Sequence, residues 1–242
     1  CAVHDDEETE TWMSRNGLNI MRSSPGNKKR IEERKKKGFY IMFSGHNVNL
    51  PAELLKEHPE YFAEVGGTRQ ASQVCWSNPD VERLIIEKIS KWCEQSPEAE
   101  IISLYPSDNM NYCQCSECRK HDLSTLWFDF FKRVVLGVKK KFPNLKFSTI
   151  AYQAYINPPK CELEGIEFIE YCMYDRCYVH TIENCEINKK SIERIEKWKE
   201  KNIPISIYGY EFDVFPSKQK YYAPFGNMIS DEIKVAAKMN LA

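Results

Sequence analysis

No stretch of this chain approaches the roughly 18 consecutive apolar residues that a membrane-crossing helix needs, so no membrane span is expected. Charge of one sign is not in excess either: 34 basic and 35 acidic side chains leave a formal net charge of −1. A nucleic-acid scaffold would instead concentrate basic residues on one face, so nucleic acid is not an expected partner. The one basic run, Lys28–Lys37, is interleaved with Glu32 and Glu33 and reads as a solvated helix face. Glycine-rich phosphate motifs are also missing, since neither G-x-G-x-x-G nor G-x-x-x-x-G-K-[ST] occurs. That absence weighs against an open nucleotide-binding sheet. There is no initiator Met and no signal-peptide pattern. Cys1 admits two readings, the lipidated end of a mature lipoprotein or an internal position of a longer multidomain chain. The residues after it do not look like a flexible tether, which favours the second.

What is present suits one large folded unit. The 242 residues are 42% hydrophobic, enough for a sizeable core, and a (β/α)8 barrel typically takes about 250 residues. Ten cysteines exceed what a cytosolic domain usually carries and fall short of a disulfide scaffold, so they leave the compartment open.

Short β-branched and aromatic runs recur at Gly17–Met21, Phe39–Ser44, Glu100–Tyr105, Lys146–Tyr152, Glu167–Met173 and Pro204–Tyr210. Several are near-continuous apolar stretches, as buried parallel strands are. Helical patterns separate most of them. Asn78-Pro79 supplies an N-cap and a first-turn proline for a helix carrying Val81, Leu84, Ile85, Ile89 and Trp92. Others run over about Asp122–Lys141, Asn188–Lys201 and Ile229–Met239. Steady alternation of strand and helix predicts an α/β fold with a parallel sheet. Polar or aromatic clusters follow nearly every strand, which selects a barrel of the TIM type over an open sheet. Six strands are found where eight close a barrel, so an incomplete barrel holding strands two to seven is expected, a fragment of a longer protein.

The candidate chemistry lies in those strand-end clusters. Asp108 follows the run ending at Tyr105, and Glu211 follows Tyr208-Gly209-Tyr210. A pair of carboxyls across a scissile glycosidic bond is the machinery of most glycoside hydrolases. Asp108 is read as general acid or its positioner, against the plainer reading of an Asx turn or helix cap. Glu211 is read as nucleophile or base, with Asp175 and Asp213 competing for that role. His46, Asn109, Tyr152, Arg176 and Tyr210 are candidate substrate ligands, and Arg176 would favour a carboxylated sugar. The tyrosines 105, 112, 152, 155, 174 and 210, with Phe212, suit stacking on pyranose faces, although each alone reads more simply as core. The expectation is a hydrolase of a polysaccharide or glycoconjugate needing no cofactor for catalysis. A non-catalytic carbohydrate-binding barrel and a structural interaction module are the alternatives.

Cys113, Cys115 and Cys118 form C-x-C-x-x-C. Three such thiols could supply most of a tetrahedral zinc site, with Cys75, His121, Cys177 or His180 as the fourth ligand. Disulfides to Cys75, Cys172 or Cys177, or free thiols, remain open readings, and in each the cluster braces a loop.

Several of these segments together resemble the bacterial domain of unknown function 4838. They are His58-Pro59-Glu60-Tyr61-Phe62, the stretch from Gln73 to Pro79, Asp108-Asn109 followed by Tyr112–Cys118, and Ile150-Ala151-Tyr152-Gln153. Pro158-Pro159, Cys172, Cys177 with His180, and Pro224-Phe225-Gly226-Asn227 continue the resemblance, which covers roughly residues 39–242. It implies a glycoside-hydrolase-like barrel distantly similar to α-glucuronidases, and a secreted, periplasmic or cell-surface location. Two positions depart from the family: Ser107 stands where Asn is usual, and Gly209 where the family tends to have the Asp of Trp-Asp-Tyr.

Overall fold

The alternating pattern folds into a curled half-barrel. The computed structural model describes residues 6–178, 180–210 and 226–241. In chain order the elements are α1 (Glu7–Arg15), β1 (Ile20–Ser23), α2 (Lys28–Lys36), β2 (Tyr40–Phe43), β3 (Phe62–Val65), β4 (Thr68–Val74), α3 (Pro79–Gln95) and β5 (Ile101–Ser103). They continue as α4 (Leu123–Lys139), β6 (Lys146–Ala151), β7 (Phe168–Cys172), α5 (Glu186–Lys199), β8 (Ile205–Tyr208) and α6 (Gly226–Lys238). Strands β1, β2, β5, β6, β7 and β8 form one six-stranded sheet in that order, each pair parallel.

Curvature is visible in one side chain. In a flat sheet β1 and β8 would lie five strand spacings apart, about 24 Å. Arg22 of β1 nonetheless reaches Tyr208 of β8, with Nη1 3.4 Å from the phenol oxygen and the guanidinium carbon 5.0 Å from the ring centre. The sheet therefore wraps until its first and last strands face each other across a concave interior.

Two of the four expected helix starts hold, those at Asn78-Pro79 and Asp122, while α5 and α6 begin slightly earlier than expected. Asn78 Oδ1 accepts from the amides of Asp80 (2.8 Å) and Val81 (3.4 Å), and Asp122 Oδ1 from that of Thr125 (2.9 Å). α4 buries Leu126, Trp127, Phe130, Phe131, Val134 and Val138 against the sheet's outer face. Trp198 of α5 is fully buried, donates from Nε1 to the Ile156 carbonyl (2.8 Å) and packs edge-on to Phe128.

Three local readings need correction. β1 begins later than the expected Gly17–Met21, because Gly17 (φ +76°) caps α1. Leu18 N–H returns to the Met13 carbonyl (3.0 Å) and Gly17 N–H to that of Ser14 (3.4 Å), a Schellman closure. The antiparallel hairpin β3–β4 was not expected, although Gly66-Gly67, both at positive φ, form the two-residue turn that announces one. The basic run is also not wholly solvated. Arg34 is buried, and its Nε donates to Glu10 (2.8 Å), a fully buried carboxylate that also pairs with Arg30 (2.9 Å) and Lys37 (3.3 Å).

This packing predicts unequal costs for two substitutions in helices on the sheet's outer face. Trp198→Ala should lower unfolding free energy by about 3–5 kcal/mol, and Asp122→Ala, which removes a cap and an exposed ion pair with Lys160, by about 1 kcal/mol. Urea denaturation of both variants checks the ordering.

Candidate active site at the mouth of the half-barrel

The concave interior has a polar floor. Glu170, in the middle of β7, is 7% exposed. Its Oε1 accepts from Tyr105 OH (2.7 Å) and Ser103 Oγ (2.9 Å), and its Oε2 from Arg22 Nη2 (3.0 Å). Ser148 hydrogen-bonds Ser103 Oγ within the same network. Burial opposes the Arg22 charge, but the facing Tyr105 and Glu170 outweigh it and hold the guanidinium protonated. Burial and the Glu170 charge raise Tyr105 well above its ordinary value, so its hydroxyl stays neutral and donates.

Above this floor, at the C-terminal ends of the strands, lies a cavity of about 170 Å³ lined by His46, Tyr105, Asp108, Ile150, Tyr152, Cys172, Tyr208 and Tyr210. Its residues come from the ends of β2, β5, β6, β7 and β8, so the strand-end clusters do share one mouth. Rings pave one side, with Tyr152, Tyr174, Tyr210 and Tyr208 following one another at centroid distances of 5.2, 6.2 and 5.2 Å. Burial raises the phenols of Tyr152 and Tyr210 and pushes the Cys172 thiol up to about 12. At neutral pH the walls are therefore uncharged hydroxyls and a thiol. His46 Nδ1 bonds the Pro106 carbonyl. A carbonyl only accepts, so that nitrogen carries hydrogen.

Asp108 is exposed in this mouth, and the β3–β4 hairpin holds its loop. The buried amide of Gln73 pairs with Ser107 as a strand would, its Nε2 donating to the Ser107 carbonyl and its Oε1 accepting from the Ser107 amide, both at 3.1 Å. Gln114 N–H donates to the Glu64 carbonyl (2.7 Å). Gln153, in the left-handed region at φ +47°, accepts from Tyr112 OH (2.9 Å) and donates to Asp108 Oδ1 (3.4 Å). Such a backbone costs about 1–2 kcal/mol, and here it turns the amide toward the carboxylate.

Of the residues expected from sequence, Asp108, His46, Tyr152 and Tyr210 meet in the cavity. Three others do not. Asp175 turns to α5, where Arg194 (2.9 Å) and Ser191 (3.2 Å) hold its carboxylate. Arg176 is buried against Glu232 of α6 (2.8 Å) and over the Tyr178 ring, which removes the argument for a carboxylated sugar. Asn109 braces its own loop, donating to the Ser72 carbonyl (2.8 Å) and accepting from the Asn111 amide (2.9 Å). Glu211, Phe212 and Asp213 lie outside the described residues. The sequence reading missed Arg22, Glu170, Gln73 and Gln153. Glu170 carried a usable signal, a carboxylate inside the apolar run Phe168–Cys172, since acidic side chains are almost never buried without partners.

Cys113, Cys115 and Cys118 come together with Cys75, the first residue after β4, and no disulfide joins these thiols. Neither His121, Cys177 nor His180 belongs to this group. Besides a cleft of about 330 Å³ between α5 and α6, two larger clefts lie away from the mouth. One of about 480 Å³ is lined by Glu100 and Lys146 at the N-terminal ends of β5 and β6. The other, of about 590 Å³, runs between α3 and α4 beside Glu82 and Arg133. Barrel enzymes place their chemistry at the opposite ends of the strands.

A curled half-barrel of parallel strands alternating with helices is a fold of the TIM-barrel type, and solved structures of glycoside hydrolases share it. The glycoside hydrolase domain of PelA from Pseudomonas aeruginosa aligns with a TM-score of 0.50 at 11% identity, covering 84% of this chain and 79% of that one. The β-D-glucuronidase of Dictyoglomus thermophilum aligns with a TM-score of 0.50 at 11% identity, over 96% of this chain and 39% of its own. For the β-galactosidase of Rahnella sp. R3 the TM-score is 0.45 and the identity 11%, over 72% and 38%. The chain thus spans well under half the length of the glucuronidase and the galactosidase. No curated protein matches the sequence. The sequence itself matches the family described as domain of unknown function (DUF4838) over residues 5–242, and the chain belongs to that family. The match reaches well before residue 39, taking in α1, β1 and α2.

The raised Cys172 thiol gives a direct check. Held well above its ordinary range by burial, the thiol carries almost no thiolate at pH 8. Iodoacetamide at pH 8 should leave Cys172 unmodified in the folded protein and alkylate it in urea, as read by peptide mass spectrometry.

Proposed function

We propose that this protein is a glycoside hydrolase acting on a polysaccharide or glycoconjugate, with Asp108 as its general acid or the residue that positions one. The observation that carries the reading is the convergence of Asp108, His46, Tyr152 and Tyr210 on one strand-end cavity. Its volume of about 170 Å³ lies below the roughly 300–1,000 Å³ of drug-sized ligand sites, which suits a single sugar ring. Neutral phenols offer ring faces for stacking and hydroxyls for hydrogen bonds, and the exposed carboxyl of Asp108 stands at the rim. Protonation of the glycosidic oxygen by one carboxyl needs a second on the far side of the ring, and Glu211 is the candidate from the sequence. A separation of about 5 Å between the two would give retention and about 6.5–9.5 Å inversion. The fold shared with a β-D-glucuronidase and with a glycoside hydrolase domain supports the class of chemistry. A secreted, periplasmic or cell-surface location, which the resemblance implied, belongs to the same reading.

One observation favours a second reading, a barrel that binds carbohydrate without cleaving it. Among the described residues Asp108 is the one carboxylate lining the cavity, and Gly209 follows β8 where the resemblance implies an Asp.

Hydrolysis of a panel of aryl glycosides and polysaccharides separates the two. The proposal expects turnover by the wild type and a fall of about 10²-fold or more in Asp108→Asn. Glycan binding with no product from the wild type would establish the binding barrel, and unchanged turnover in the variant would remove Asp108 from the mechanism.

A further inference from the structure

We propose that Cys75, Cys113, Cys115 and Cys118 bind a zinc ion that staples the β3–β4 hairpin to the loop carrying Asp108. The geometry is that of a closed four-sulfur site. Cys75 Sγ lies 3.6 Å from Cys113 Sγ, 3.8 Å from Cys115 Sγ and 3.7 Å from Cys118 Sγ, and all four sulfurs fall within 4.8 Å of one another. A tetrahedron with Zn–S bonds of about 2.3 Å has sulfur–sulfur edges of about 3.8 Å. A disulfide would bring one pair to about 2.05 Å and turn the others aside, whereas here one sulfur is nearly equidistant from three.

The surroundings suit thiolates. Glu64 N–H points at Cys113 Sγ (3.3 Å), and Arg69 Nη1 lies 3.7 Å from the same sulfur. The Ser77 hydroxyl stands 3.2 Å from Cys118 Sγ, 3.3 Å from Cys75 Sγ and 3.8 Å from Cys115 Sγ, placed to donate to one of them. Zn²⁺ with four thiolates carries two net negative charges; amide, hydroxyl and guanidinium donors around the sulfurs stabilise that charge and orient the ligands. Cys75, Cys115 and Cys118 are buried, so no coordination position is open to solvent or substrate. Binding takes up Zn²⁺ and releases the thiol protons. The role is to brace. Cys75 ends the hairpin and the other three lie in the loop between β5 and α4, the same loop that Gln73 and Gln114 tie to the hairpin.

A second group, Cys177, His180 and Cys185, also clusters, with His180 Nδ1 3.3 Å from one sulfur and 3.9 Å from the other. It offers three ligands of mixed type on a more exposed segment, so the two sites differ in what zinc would see.

The test is metal analysis and zinc-edge X-ray absorption on the whole chain, purified without chelator or a metal-affinity tag. The expected result is about one zinc per chain, bound by four sulfurs at about 2.3 Å and lost in Cys75→Ser. Cys118→Ser should lose it too, and Cys177→Ser should keep it. Stripping the metal with a strong chelator should lower the melting temperature by on the order of 10 °C, and zinc should restore it. Zinc well below one per chain with oxidised thiols, iron in its place, or a mixed nitrogen–sulfur shell lost in Cys177→Ser and retained in Cys75→Ser would each overturn the assignment.

Discussion

The contact between Arg22 and Glu170 sets the shape on which the rest of the molecule depends. The two residues sit on strands separated by three others, yet their side chains meet at 3.0 Å across the concave face. Glu170 is nearly inaccessible while the Arg22 side chain keeps about a third of its exposure, 32%. The pair therefore has less desolvation to overcome than a fully buried one, and also less Coulomb attraction. Such pairs add little net stability, but loss of one partner leaves a charge facing a low-dielectric interior. The cost falls on any flatter arrangement of the sheet, in which the carboxylate would keep only its hydroxyl donors, Tyr105 and Ser103. Curvature is thereby tied to electrostatics, and the mouth follows from curvature: once β1 faces β8, the residues trailing five strands are aimed at a common point.

The walls and the rim of that mouth are organised differently. The walls are rings and hydroxyls whose protonation does not change near neutral pH, because burial keeps the phenols and the Cys172 thiol in their neutral forms. The rim is a loop, and loops hold a carboxylate in place only when something else holds them. Here the hairpin does so through the Gln73 amide, the Ser72 and Glu64 carbonyls and the four-sulfur cluster. Asp108 is thus an exposed group on a braced segment, and Gln153 fixes it from the β6 side at the expense of a left-handed backbone.

Much of this was legible in the sequence, and the failures have a common cause. Apolar runs such as Ile101–Tyr105 reported buried parallel strands because both faces of such strands are covered, whereas Ile205–Tyr208 became the last strand of the sheet, buried only at Ile205, and strand order followed chain order. Capping residues Asn78 and Asp122 marked helix starts to the residue. Position after a strand also gave depth, placing Asp108, Tyr152 and Tyr210 at the mouth. It did not give direction. Asp175 and Arg176 follow β7 closely but turn outward to α5 and α6, because the partners that fix them, Arg194 and Glu232, lie far along the chain. Asn109 was lost the same way, to a hairpin whose Gly66-Gly67 turn had not been recognised. Glu170 escaped notice because it lies inside a strand, where reading for strand-end chemistry does not look, and Arg22 because the expected first strand stopped one residue short of it.

A double-mutant cycle on Arg22 and Glu170 tests the central claim most directly. With Arg22→Met, Glu170→Gln and the double variant compared by urea unfolding, a pair that bridges the sheet should show a coupling energy of about 1–3 kcal/mol. Additive effects, with coupling within error of zero, would mean that the two residues do not meet, and the curled sheet with its single mouth would have to be given up.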